Sequence, residues 1–454
     1  MRKIIVILLL IVFVLTSVVA LFAQTKIAPL NIKERTLKNG MKVVSLQDNS
    51  SPTVTVQVWF DVGSKNDPNG RNGFAHLFEH LMFKSTKNLK SEQFDRLTED
   101  VGGNNNAFTS DDVTAYHEVV PSNYLETILW AEAERLSNLN VDETNFLSER
   151  KVVQEEFRQG VLAQPYGRFQ EAIQTLSYTT HPYKRTTIGT IEDLEAATVA
   201  DAQSFHKTFY RSDNATLIVV GDFEQKQFDT WVDKYFNRIE RPRGTIPRVT
   251  AVEPARTTEK RQTVKAPNVP LPAVAITYLA PDSKSKDIAA LKIAQVILSG
   301  GEFSAGESSR LYQSLVYEQQ IAQSASFGID ERVDKGLLTF TAVMASGKTP
   351  EMGEKSLLAE LKKIQDAPVS AKELEKAKNT VVAGTLRELE TNRGKAFAIG
   401  NGVIYNNDPN AVNTEIKQLQ AVTAVDVQRV MKQYFADNNR VVIHYVNDNV
   451  KEAK

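Results

Sequence analysis

The sequence predicts an α+β protein in which one domain is used twice. Three observations carry that expectation. Strand signals and capped amphipathic helices are interspersed along the chain. The segment Ala196-Ala197-Thr198-Val199-Ala200-Asp201-Ala202-Gln203 matches Ala421-Val422-Thr423-Ala424-Val425-Asp426-Val427-Gln428, and the same offset of 225 sets Lys207 on Lys432, Tyr210 on Phe435, Asn214 on Asn439 and Ile218 on Ile443. Each match reads as helix, turn and strand, so a unit of about 220 residues is repeated. Between the copies, residues 241–270 hold five prolines and many charges, as a linker and an opening strand would. The expected boundaries are 1–23, 24–240, 241–262 as linker, and 263–454.

Taken in order, Asn39-Gly40 between two apolar runs predicts a hairpin. Val54, Val56, Val58 and Phe60 alternate as in a half-buried strand. A polar loop then leads into a helix over 73–83. Ser91 is expected to cap a second helix that ends at Gly102-Gly103. Residues 107–109 and 113–119 read as a strand pair. Ser122 starts a long helix, Asp142 caps the next, and 214–220 is a strand. In the second copy, 273–278 echoes the strand before the first helix, and 287–298 takes the place of that helix without any His or Glu.

The helix over 73–83 carries the chemistry. His76, Glu79 and His80 stand at i, i+3 and i+4, so all three share one face. Two imidazoles one turn apart can grip one Zn²⁺, and the adjacent carboxylate can take a proton from water. The order H-x-x-E-H is the inverzincin signature. Two histidines leave zinc short of its usual three protein ligands. The chain has no cysteine, so the third ligand is a His or a carboxylate. Disulfides and thiolate catalysis are excluded for the same reason. The nearest acidic source is the helix holding Glu149, Glu155 and Glu156. Glu149 and Glu156 share a face two turns apart, although from the residues alone an acidic helix of this kind is usually a solvated charged face.

The 454 residues are 42% hydrophobic and carry a net charge of −1, which gives no electrostatic case for nucleic acid. Arg2-Lys3, the apolar run 4–15 and the small residues up to Ala23 read as an export signal, with cleavage expected after Ala23 or Ala20. The alternative is an uncleaved anchor, which would hold the protein at a membrane.

Residues 63–86, with Gly73-Phe74-Ala75-His76-Leu77-Phe78-Glu79-His80-Leu81-Met82-Phe83, resemble the pitrilysin/insulinase family of zinc peptidases, nearest the branch of mitochondrial processing peptidase and its bacterial relatives. The segments at 102–110, 181–189 and 214–223 are also similar to family segments. The resemblance implies two homologous domains, each a mainly antiparallel sheet with helices packed on one face, enclosing a cavity. It implies one Zn²⁺ per chain held by His76, His80 and Glu156, with Glu79 as general base and Glu149 supporting the water or a ligand. It further implies that Asn104, Asn106, Ala107 and Thr109 lie on an edge strand that binds an extended peptide. The implied activity is endopeptidase action on short or unfolded peptides, and the implied compartment is the periplasm. Active single-chain members carry an Arg and a Tyr seven apart in the second domain. Here those positions hold Val316 and Gln323, so the resemblance points first to a homologous partner subunit that supplies the pair, with an active homodimer of weaker oxyanion stabilisation or a zinc-binding assembly subunit of little activity as the alternatives. Arg310 and Tyr312 fall on a structural segment in this register. The glycine-rich stretch 300–306 is expected either to bend over the substrate or to act as a plain connector.

Overall fold

Asn39-Gly40 turns the chain as its residue types require. Gly40 has φ +92°, and the flanking strands β1 (Lys33–Thr36) and β2 (Lys42–Gln47) pair antiparallel with Thr36 opposite Lys42. The computed structural model that gives this geometry describes residues 28–301 and 306–449. The expected signal, residues 1–23, lies outside them, as do residues 302–305 of the glycine-rich stretch. No helix among the described residues is long and apolar enough to cross a membrane.

The first half continues with β3 (Thr53–Phe60), α1 (Phe74–Leu81), α2 (Gln93–Glu99), β4 (Asn104–Thr109), β5 (Thr114–Pro121), α3 (Leu125–Asn138), α4 (Glu143–Phe157), α5 (Gly167–Ser177), α6 (Ile191–Ala196), α7 (Val199–Phe209), β6 (Ala215–Gly221) and α8 (Gln225–Tyr235). The second half holds β7 (Lys260–Ala266), β8 (Ala273–Leu279), α9 (Ile288–Ser299), β9 (Ala322–Asp330), β10 (Leu337–Met344), α10 (Pro350–Asp366), α11 (Ala371–Glu388), α12 (Asn392–Asn401), α13 (Val412–Ala421), α14 (Ala424–Tyr434) and β11 (Arg440–Asn447). The sheets run β1-β2-β6-β3-β5-β4 and β7-β11-β8-β10-β9. Without β1 the two orders are the same. Only β2–β6 and β7–β11 pair in parallel, so both sheets are mainly antiparallel. The repeat extends to its caps: Thr198 and Thr423 each accept from the N–H three residues on, and Asp201 and Asp426 return the bond.

Several boundaries differ from the sequence reading, two of them for a visible reason. The α2 N-cap is Glu92 at φ 66° rather than Ser91, and the Gln93 side chain accepts from the Lys90 N–H instead. The linker expected over 241–262 ends inside β7, which begins at Lys260 because it pairs with β11.

Strand alternation places Val54, Val56, Val58 and Phe60 of β3 in one apolar core with Phe74, Leu77, Phe78 and Leu81 of α1. The opposite face of this sheet receives α12 from the second half. Trp59 meets Phe397 edge-on at 6.0 Å, and a Cβ on Gly400 would lie 2.3 Å from the Trp59 ring, so only glycine fits. The relation is reciprocal. Phe169, Ala172 and Ile173 of α5 pack on Ala273, Ala275, Ile443 and Tyr445 of the second sheet. Each sheet therefore has its own helices on one face and one helix of the other half on the second face. A cavity of about 680 Å³ lies between α5 and strands β9 and β10. A larger one, about 1290 Å³, lies among the helices of the second half around Lys292, Arg393 and Glu415.

Candidate metal centre and active site

Helix α1 starts at a tightly built corner. Gly73 has φ +89°, and a Cβ there would meet the Ile188 carbonyl oxygen at 2.5 Å. The buried Asp67 carboxylate accepts from the N–H groups of Gly73 and Ala75, both at 2.8 Å, which satisfies donors that a helix start leaves open. Burial pushes the Asp67 carboxyl up to about 7, and these hydrogen bonds pull against it. Phe74, Ala75, Leu77, Phe78 and Leu81 fill the core, which leaves His76, Glu79 and His80 together on the other face.

Helix α4, capped by Asp142 on the Asn145 N–H, brings Glu156 to the same place. The atoms His76 Nε2, His80 Nε2 and Glu156 Oε2 form a triangle with sides of 3.4, 3.5 and 3.7 Å. A tetrahedral zinc with bonds of about 2.0–2.1 Å spaces its ligand atoms by about 3.3–3.4 Å. Nitrogen, nitrogen and carboxylate oxygen are the donors zinc takes, and three protein ligands leave one position open. The donor set fits Zn²⁺. It is the one group of three such ligands among the described residues.

The two imidazoles differ. Burial, helped by His80, lowers His76 to about 4, which keeps it neutral as a ligand must be. Burial also opposes charge on His80, but the Glu149 carboxylate and the charges of Glu156 and Glu79 outweigh it and raise its pKa. Glu149 Oε2 stands 3.6 Å from His80 Nδ1, on the ring edge away from Glu156. Its Oε1 is 2.8 Å from Lys84 Nζ. Glu149 thus stands behind His80 and outside the triangle. His76 Nδ1 is buried with no hydrogen-bond partner among the described residues.

Glu79 is raised above the usual carboxylate range by burial, against the pull of a hydrogen bond from Thr109 and the charge of His80. Thr109 Oγ1 donates to Glu79 Oε2 at 2.5 Å.

Strand β4 is the sheet edge, with β5 on one side and no strand on the other among the described residues. Ser110 N–H bonds the Val113 carbonyl, which sets the alternation of the ladder. Asn104 and Asn106 then spend their main-chain groups on β5, and the outward groups belong to Asn105, Ala107 and Thr109. Ala107 N–H accordingly turns to the Asn106 side chain, at 2.8 Å. Of the residues expected to bind peptide, Ala107 and Thr109 present outward main-chain groups, Asn104 and Asn106 offer side chains only, and Asn105, outside that set, also faces outward. The strand period of two, counted from the turn at Ser110, would have found it.

Val316 packs half-buried on the second core, and Gln323 is exposed on β9. Arg310 is held by both oxygens of Glu373, at 2.8 and 3.0 Å, a structural pair. None of His76, Glu79, His80 and Glu156 lines either of these two cavities; the Glu156 side chain is 43% exposed and those of His76 and His80 are 19% and 18%, so the triangle meets solvent mainly on the Glu156 side.

Comparison with known proteins gives the family of the chain. Residues 42–191 match the family described as Insulinase (Peptidase family M16), and residues 196–381 match Peptidase M16 inactive domain. The zinc protease PqqE of Helicobacter pylori is 32% identical over 410 residues, spanning 90% of this chain and 91% of that protein. The crystal structure of a protease from Helicobacter pylori superposes with TM-score 0.87 at 31% identity, covering 92% of this chain and 99% of that one. The probable mitochondrial-processing peptidase subunit beta of Arabidopsis thaliana is 29% identical over 223 residues, 49% of this chain and 42% of that protein. The chain belongs to peptidase family M16.

Proposed function

We propose that this protein is a zinc-dependent endopeptidase for short or unfolded peptides, exported to the periplasm, and the zinc-bearing member of a pair of homologous chains. The observation that carries the reading is the ligand triangle with Glu79 on the same helix face and an unpaired strand edge beside it. His76, His80 and Glu156 hold the metal. Zinc, when bound, supplies Lewis-acid activation of water and of the scissile carbonyl. Glu79 takes the proton of the attacking water on its carboxylate and passes it to the leaving amine nitrogen. Glu149 and Lys84 fix the His80 ring. The outward main chain of β4 holds the peptide extended by strand addition, a mode that reads backbone more than side chains.

The partner is inferred from two features. Val316 and Gln323 bring neither the cation nor the phenol that would stabilise a developing oxyanion. The Glu156 side chain is also 43% exposed, which leaves the site within reach of a second chain. One similar protein bears the name of a peptidase subunit, which supports a paired arrangement. The test is expression of residues 24–454 alone and together with a homologous chain that carries the Arg and Tyr, followed by zinc analysis and hydrolysis of a quenched peptide. Hydrolysis only by the pair supports the reading. Full activity of the single chain sinks the partner, and zinc without hydrolysis in either preparation leaves an assembly subunit.

A further inference from the structure

We propose that Thr109 is a positioning residue that sets the register between the bound peptide and Glu79. The inference rests on the peptidase reading above and assigns one residue two duties within it.

The first duty belongs to the hydroxyl. Thr109 Oγ1 donates to Glu79 Oε2 at 2.5 Å. Its other polar neighbour, Thr114 Oγ1, is 3.4 Å away and sends its own proton to the Val62 carbonyl at 3.0 Å. The Thr109 proton goes to the carboxylate because that oxygen is much the closer of the two possible acceptors. With Oε2 held, the Glu79 side chain cannot rotate freely, and Oε1 is the oxygen left to work. The second duty belongs to the main chain. Thr109 occupies an outward position of the edge strand, so a peptide that adds to β4 pairs with it. One residue thus grips the proton carrier through its side chain and the substrate through its backbone.

This residue is itself anchored. The turn that follows it is pinned from both halves: Asp111 accepts from Ser64 Oγ at 2.9 Å and pairs with Arg332 at 3.0 Å. Asp112 pairs with Lys65 at 2.6 Å and accepts from the Val333 N–H at 3.0 Å. Thr109, two residues earlier, has little room to drift. A small misplacement between a base and a scissile bond is costly in rate.

The test compares Thr109→Val, of nearly the same shape, with Thr109→Ser, which keeps the hydroxyl, in the full chain with its partner. Valine lowers kcat by about 10–100-fold. KM, zinc per chain and the unfolding midpoint stay near wild type, and serine restores most of kcat. Thr109→Ala reads the same loss if valine does not fold. Unchanged kcat in the valine or alanine variant overturns the proposal, and so does an equal loss in the serine variant. Wild-type protein in the same assay keeps the two ideas apart: an inactive wild type refutes the peptidase reading, whereas an active wild type with unimpaired valine variant refutes this inference alone.

Discussion

Glu149 stands behind His80, its Oε2 3.6 Å from the ring Nδ1, while its other oxygen is held by Lys84 at 2.8 Å. The carboxylate lies on the Nδ1 side of the ring, and Nε2 is the nitrogen that faces His76 and Glu156. Outer partners of this kind typically govern metal affinity by about 10–100-fold. Glu149→Gln and Lys84→Met should each raise the zinc dissociation constant within that range, with Lys84→Met the milder. Competition with a fluorescent chelator measures it, and unchanged affinity in Glu149→Gln would refute the support role.

Arg332 joins the halves at Asp111. The guanidinium lies 3.0 Å from Asp111 Oδ2, stacks over Tyr183 at 4.6 Å, and also meets Asp330. Removing one partner of a buried pair strands the other charge, which costs about 3–5 kcal/mol. Arg332→Met should lose that much in denaturant unfolding. Asp111→Asn added to Arg332→Met should recover part of it, because the stranded charge is then gone.

Asp48 and Lys395 tie β2 to α12 across the same interface. Burial opposes charge on Asp48, but hydrogen bonds from Lys395 and Ser50 lower its pKa from 3.8 to about 2. The folded value is the lower one, so the pair contributes fully above about pH 4 and its contribution fades as pH falls through 2. With the partial exposure of both groups, about 1–2 kcal/mol is at stake. Unfolding free energy should fall across that window in the wild type and fall less in Asp48→Asn. Equal pH slopes in the two proteins would contradict this.

Gly400 touches the Trp59 ring so closely that any Cβ must displace it. Gly400→Ala should lower stability by about 1–3 kcal/mol as overpacking does. Gly160→Ala, where a Cβ meets nothing within 4 Å, is the control and should be near neutral in thermal unfolding.

What the sequence made legible follows periodicity and spacing. His76, Glu79 and His80 share a face because one helix dictates it. The repeat announced two like sheets because Thr198 and Thr423 sit in the same capping box. Glu156 came from a family spacing, and the triangle it completes depends on how α4 crosses α1, which no local pattern encodes. The exchange of α5 and α12 between the halves was not legible either, since an amphipathic helix does not say whose sheet it covers. Thr109 was read as a peptide contact alone. Its bond to Glu79 spans 30 positions and exists only because β4 lies beside α1.

The proposed function turns on Glu79 as the proton carrier of a zinc centre. It is tested most directly by hydrolysis of a quenched peptide by Glu79→Gln and wild type, each loaded with zinc and paired with the same homologous partner. One zinc per chain is expected in both proteins, with a loss of about 100-fold or more in the variant. Hydrolysis by Glu79→Gln at the wild-type rate would contradict it.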